Sequence, residues 1–307
     1  MKPLFDIRYY DRKSGRIERE KVFAASFLNW SYNTRIGRRL TLLAFSRRPV
    51  SRLIGWLCRR RLSRHLIAPF VRWSQLDATH LPCKTIEFSS FRDFFIRDMK
   101  PEQRTVAGND SVCVSPVSGK AFVLPNLKMD ESVRIKRCVF NLSRLLNDND
   151  IAQKFDGGTA VIFRLCLSDY HRIHFPVSGI PDKTTEIDGR CYAGGPYDES
   201  SRIPFYTENV RSVTTISSDR FDDIAMVEIG AFTVASIVQT YQPGISVRRG
   251  EEKGWFEPGG STVVLVFQKG SINIDAELLK YSNLGIETRL RCGESIGRTT
   301  AINGRKS

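Results

Sequence analysis

The sequence predicts an α+β fold, with a basic N-terminal helical region followed by a mostly antiparallel β-rich domain. Three observations predict it. Apolar residues recur at three- and four-residue spacings over residues 21–73. Short β-type runs separated by turn residues fill the chain from about residue 105. Most of the net charge lies in the first of these stretches, so the two halves differ in character.

In the helical stretch, Phe27, Leu28, Trp30, Ile36, Leu40, Leu43 and Ala44 follow helical spacing. Pro49, which has no backbone N–H to donate, interrupts the run. Beyond it Leu53, Ile54, Trp56, Leu57, Leu62, Leu66, Ile67, Phe70 and Val71 continue with arginines between them. Between Glu20 and Asp77 there is no acidic residue, while twelve cations of a chain with net charge +14 fall there. Such an end suits a polyanion, either nucleic acid or an anionic phospholipid membrane. An apolar stripe with tryptophan and an arginine-rich polar face favours the bilayer interface. The nucleic-acid alternative lacks a base-reading or stacking motif, so no nucleic-acid partner is expected. The plainer alternative is a helical subdomain packed on the rest of the protein with its arginines merely solvated. The expected division is residues 1–100 for the basic helical membrane-docking region and 101–307 for the β-rich domain.

In the second stretch, Val112–Val114, Val161–Leu167, Met226–Ile229 and Thr262–Phe267 read as strands. Turns are expected at Pro116 with Gly119, Gly157-Gly158, Pro176 with Gly179, Gly194-Gly195-Pro196, Pro243-Gly244 and Pro258-Gly259-Gly260. A short helix is expected over Asp275–Ser282, ended by Asn283 to Gly285.

The composition excludes several classes. No run of eighteen apolar residues occurs, so no transmembrane helix is expected, and the first ten residues do not read as a secretory signal. Seven scattered cysteines without a Cys-x-x-Cys pair argue against a disulfide framework or a zinc site, and fit a reducing cytoplasm.

Two segments could carry chemistry. His171 and His174 stand together in Ser168-Asp169-Tyr170-His171-Arg172-Ile173-His174, directly after an apolar strand. Alone, the pair fits two structural histidines as well as a site, and no ligand set at metal spacing accompanies it, so no metal is expected. The second segment, Lys253-Gly254-Trp255-Phe256-Glu257-Pro258-Gly259-Gly260-Ser261-Thr262, runs straight into a strand. Its glycines could serve only a tight turn. They also leave room for a serine hydroxyl to reach the carbonyl before it, which backbone self-cleavage requires.

Together these segments resemble the phosphatidylserine decarboxylase family over nearly the whole chain. The matching stretches are Phe91-Arg92-Asp93-Phe94-Phe95-Ile96-Arg97, Lys100-Pro101 with Arg104, and Ser115-Pro116-Val117-Ser118-Gly119. They continue with Asp169 to His174, Asn209 with Arg211, Val227-Glu228-Ile229-Gly230-Ala231, Gly254-Trp255-Phe256 and Gly259-Gly260-Ser261-Thr262. The resemblance implies self-cleavage between Gly260 and Ser261 into a β chain (1–260) and an α chain (261–307). It implies a covalent pyruvoyl cofactor made from Ser261, which forms a Schiff base with phosphatidylserine and acts as electron sink. By the same resemblance His174 is the processing base, and His171 is the partner of the substrate in decarboxylation and reprotonation. The family places an aspartate in its Ser-Pro-x-Asp-Gly motif; here Ser118 stands there, a neutral group that stabilises an imidazolium less. An uncleaved, non-catalytic lipid-binding relative is therefore the alternative. A serine hydrolase using Ser261 is the weaker one, because no nucleophile elbow surrounds that residue. The expected location is the cytoplasmic side of the cell membrane, as a peripheral protein, with assembly as a homo-oligomer left open.

Overall fold

In the computed structural model, which describes residues 5–76, 81–100, 105–135, 138–193, 204–231, 236–259 and 261–300, the β-rich part is built around one ten-stranded sheet. Its strands are β1 (Arg8–Asp11), β2 (Arg16–Arg19), β4 (Gly119–Leu124), β7 (Thr159–Leu165), β9 (Ile180–Pro181), β10 (Thr185–Ile187), β11 (Arg211–Ser218), β12 (Asp222–Gly230), β15 (Ser261–Phe267) and β17 (Glu287–Leu290). The order is β10-β11-β12-β15-β7-β4-β17-β1-β2, with β9 paired to β11. Every pairing is antiparallel except that of β1 with β17. Smaller sheets join β13 (Ile237–Gln239), β14 (Glu252–Phe256) and β8 (Arg172–His174), and separately β16 (Ile272–Ile274), β18 (Ser295–Thr299) and β3 (Val112–Val114). A hairpin of β5 (Ser132–Ile135) and β6 (Cys138–Asn141) completes the set.

β15 lies in the middle of the large sheet and is buried along its whole length. Its alternate residues go to opposite cores. Val263, Leu265 and Phe267 pack with Ile173, Phe175 and Phe256, whereas Val264 and Val266 pack with Leu142, Leu145 and Phe155 on the other face. A strand covered on both sides reads as a continuous apolar run, which is why Thr262–Phe267 stands out in the sequence.

The helical region consists of α1 (Ala25–Asn33), α2 (Arg35–Leu40), a π-helical turn (Thr41–Phe45), α3 (Arg48–Cys58), a 3-10 turn (Arg61–Leu66), α4 (Ile67–Ser74) and, after the next described loop, α5 (Phe91–Phe95). Pro49 falls in the first turn of α3, where a missing N–H costs nothing, so it starts a helix as much as it ends one. The apolar stripe divides. Ile67 and Phe70 pack with Phe88 and Phe94, whereas Ile36, Leu43, Leu53, Trp56, Leu57 and Leu62 stay at least half exposed.

One expectation for residues 1–100 is corrected. Arg8–Asp11 and Arg16–Arg19 are not helical: they form β1 and β2 and extend the large sheet. A buried ion network fixes them there. Arg164 lies 2.6 Å from both Glu20 and Glu287, and Lys120 lies 3.2 Å from Glu20. The expected helix after Asp275 spans α6 (Ala276–Asn283), with Asp275 as its N-cap. The predicted turn at 194–196, together with Pro101, Arg104 and Gly260, lies outside the described residues.

Candidate active site

Ser261 opens β15 and is fully buried. It pairs with Gly230 on one side and Leu165 on the other. Strand alternation turns its side chain to the same face as Val263 and Leu265, toward the layer that carries β8. Its Oγ has no hydrogen-bond partner among the described residues. A buried hydroxyl left unsatisfied is unusual enough to need a reason. Just upstream, Gly259 has φ of +152°, a backbone angle that suits glycine.

The histidine segment is pinned alongside this strand. Leu165 pairs with Ser261, and Phe256 N donates to His171 O at 3.1 Å. The segments 165–171 and 256–261 therefore run between two shared anchors. Neighbouring bonds hold the next residues: Trp255 pairs with Arg172 and Glu252 with His174.

The two imidazoles differ. His171 is wholly buried, with its ring 3.8 Å from that of Phe95, and its Nδ1 lies 2.9 Å from Asp169 O. A carbonyl can only accept, so Nδ1 carries the proton and Nε2 presents a lone pair. Nε2 is buried and has no partner among the described residues. Burial first, and then the Arg97 guanidinium, hold His171 far below its ordinary range, at about 3, so the ring is neutral at physiological pH. His174 Nδ1 lies 2.9 Å from Gly250 O and Nε2 lies 3.0 Å from Tyr170 Oη. By the same reasoning Nδ1 donates to the carbonyl and the phenol donates to Nε2. Burial, followed by nearby Cys292, raises Tyr170 and keeps it a donor.

Ser118 is tied to the histidine segment through backbone. Its Oγ accepts from Cys292 N at 3.0 Å, and His174 N donates to Pro116 O at 2.9 Å. The carbonyl of Gly250 stands against His174 Nδ1. The structure therefore brings the 115–119 turn, the histidine segment and the start of β15 into one region, without describing Gly260.

Two supporting sets of contacts join residues that the sequence motifs hold far apart. First, α5 braces the site from outside. Arg92 holds Glu257, in the turn before Ser261, with bonds of 2.6–3.0 Å, Phe95 lies on His171, and Arg97 donates to Ser168 O at 2.9 Å. Second, Glu228 and Lys253, both wholly buried, pair at 2.7 Å. Gln239 accepts from Lys253 Nζ at 2.7 Å and donates to Glu228 Oε2 at 3.3 Å. Burial lowers the Lys253 ammonium's affinity for its proton and Glu228 partly restores it. Glu228 lies opposite Val263, two residues from the Gly230–Ser261 pair, hence on the Ser261 face of the sheet. Glu228, set directly after the apolar run Ile224–Val227 on β12, was the signal available in the sequence.

The model of the phosphatidylserine decarboxylase family matches residues 91–298. The chain belongs to this family. By that membership it is a decarboxylase, a carboxy-lyase. It is 38% identical over 293 residues to the phosphatidylserine decarboxylase proenzyme of Chlamydia trachomatis serovar D, covering 95% of this chain and 97% of the relative. It is 36% identical over 291 residues to the proenzyme of Clostridium beijerinckii, covering 95% and 98%. With that of Chlamydia felis it shares 37% over 293 residues, covering 95% and 98%. The family match takes in the histidine segment, Ser118 and Ser261 together. The alternative of an uncleaved lipid-binding relative gains no support from these proenzymes. Among the described residues no helix is long and apolar enough to cross a membrane.

Proposed function

We propose that this chain cuts itself between Gly260 and Ser261 and then, with a pyruvoyl group formed from Ser261, converts phosphatidylserine to phosphatidylethanolamine at an anionic membrane surface. The observation that carries the reading is the buried, unpartnered hydroxyl of Ser261 at the head of β15, in a chain whose relatives are named proenzymes.

Ser261 Oγ would attack the Gly260 carbonyl after losing its proton to an imidazole, and the amide would become an ester. His174 is the base for this step. Its Nδ1 is held by Gly250 O, which leaves the Nε2 lone pair as the basic position once Tyr170 yields it. Elimination across Cα and Cβ of Ser261 would then leave Gly260 as a carboxylate and residue 261 as dehydroalanine, and hydrolysis of its imine tautomer would expel ammonia and leave the ketone of the pyruvoyl group. The pyruvoyl group, once formed, supplies the electron sink that decarboxylation needs. His171 serves the second reaction. Its neutral ring presents an unshared Nε2 lone pair next to Phe95, which can accept a hydrogen bond from the substrate. A dry setting favours loss of charge from a carboxylate, and Phe95 and Phe256 supply it.

Docking is assigned to the helical region, whose exposed Leu43, Leu53, Trp56 and Leu62 stand among arginines with no acid nearby in sequence. The protein would then be peripheral, on the cytoplasmic face, where anionic lipids attract it.

The test is the intact mass of purified protein. A small chain of residues 261–307, roughly 5 kDa with a blocked amino terminus, is expected beside the large one. A single chain of full mass after long incubation would remove the proposal.

A further inference from the structure

The arginines of the helical region are not all on open surface. Where α3 begins, Ser46, Arg47, Arg48 and Pro49 line a pocket of about 470 Å3 together with Asp188, Gly189 and Arg190 from the β-rich part. Arg48 Nη1 pairs with Asp188 Oδ1 at 2.7 Å, yet Arg48 Nε is buried and has no acceptor among the described residues. Arg190 Nη1 is in the same condition. A buried guanidinium N–H without an acceptor is costly, and one carboxylate cannot serve three arginines. The lining keeps two positive charges in excess (Arg47, Arg48 and Arg190 against Asp188). The first turn of α3, an eleven-residue helix, holds no acidic side chain, so its positive end is uncompensated at the same place. Planar forks of N–H groups beside such a helix end match a phosphate oxyanion.

We propose that this pocket is a phosphate-binding site, and that its ligand is the phosphodiester of an anionic phospholipid headgroup. Exposed Leu42 and Leu43 on the preceding turn and Leu53 and Trp56 on α3 give the apolar companions that a lipid source requires and free phosphate does not. The site shares no residue with the region around Ser261. Its lipid source rests on the membrane-facing reading above; the oxyanion chemistry does not.

Binding to phosphatidylglycerol-containing vesicles is compared with binding to phosphatidylcholine vesicles at raised salt, where diffuse attraction is screened. Three forms of the full chain are used: the natural protein, Arg48→Gln with Arg190→Gln, and a charge-matched control, Arg39→Gln with Arg64→Gln, at exposed positions outside the pocket. The pocket pair should lose about ten- to a hundredfold in affinity, as for charge-assisted hydrogen bonds, and the control pair far less. Arg190→Lys, which keeps the charge but not the fork, should also weaken binding, and thermal melting of each variant establishes that it folds. Inorganic phosphate and glycerol 3-phosphate at millimolar concentration should compete in the natural protein only. Equal losses in the pocket and control pairs would overturn the site and leave the membrane-facing reading intact. Binding of glycerol 3-phosphate without any preference for anionic vesicles would overturn the lipid source.

Discussion

Replacing Glu228 with Gln tests the buried support of the Ser261 strand. Both members of the Glu228–Lys253 pair are wholly buried and 2.7 Å apart, so the change leaves an ammonium in the interior with, among the described residues, Gln239, the new amide and the ring of Tyr241 around it. Removing one partner of such a pair costs about 3–5 kcal/mol. For a domain of this size each kcal/mol lowers Tm by about 2–4 °C, so a fall of about 6–20 °C is expected. The melts belong in a Ser261→Ala background, where the chain stays intact and a covalent cut cannot confuse the comparison. Replacing both residues, with Glu228→Met and Lys253→Met, should cost less than the single change, because no unpaired charge remains. With Ser261 restored, Glu228→Gln should also slow release of the small chain, since Glu228 lies two residues from the Gly230–Ser261 pair. A single variant melting within about 2 °C of its parent would refute the reasoning, because water would then have to reach the ammonium.

Three further outcomes follow from the same geometry. Ser118→Asp should speed fragment release on a gel time course, by at most about four powers of ten, the figure known for protease triads; no change would show that Gly250 O, already on His174 Nδ1, does all the orienting that position 118 could do. His171 binds its proton less readily folded than unfolded, so stability is full above pH about 6.5 and falls as pH drops toward its folded value of about 3. In Ser261→Ala protein, His171→Asn should therefore flatten the acid side of a stability profile by up to about 1.4 kcal/mol per pH unit, and an unchanged slope would mean that the ring is not buried neutral. Binding to anionic vesicles should weaken as salt rises, because surface attraction is screened over about 10 Å at 0.1 M, and equal binding to neutral vesicles at high salt would exclude a role for the arginines.

What was legible in the sequence depended on how locally it was encoded. β15 announces itself because both its faces are covered, so five apolar residues follow one another after Thr262. The end of β7 was overestimated by two residues, because the Asp169 carboxylate accepts from Cys166 N and turns the chain early. β1 and β2 carry too many charged residues to show a strand period, and their partners, β17 and the Arg164 network, lie far along the chain. The candidate site divides in the same way. Ser261, His171 and His174 stand out as motifs, but which imidazole nitrogen is left unshared depends on the carbonyls of Asp169 and Gly250, and no periodicity reports a carbonyl. Arg92 and Glu257 are separated by 165 positions, and their pairing is visible only in three dimensions.

The place of β15 has one more consequence. Residues 261–307 supply β15 between β12 and β7, and also β17 between β4 and β1, so they are woven into the large sheet at two separate points. A cut before Ser261 would sever the chain without freeing a piece. The reactive group would then be a fixture of the core, unlike a cofactor that can leave and be reloaded. A molecule whose group is spoiled by a side reaction would have no replacement to draw on. Only new synthesis could restore it, and each copy would have a single working life.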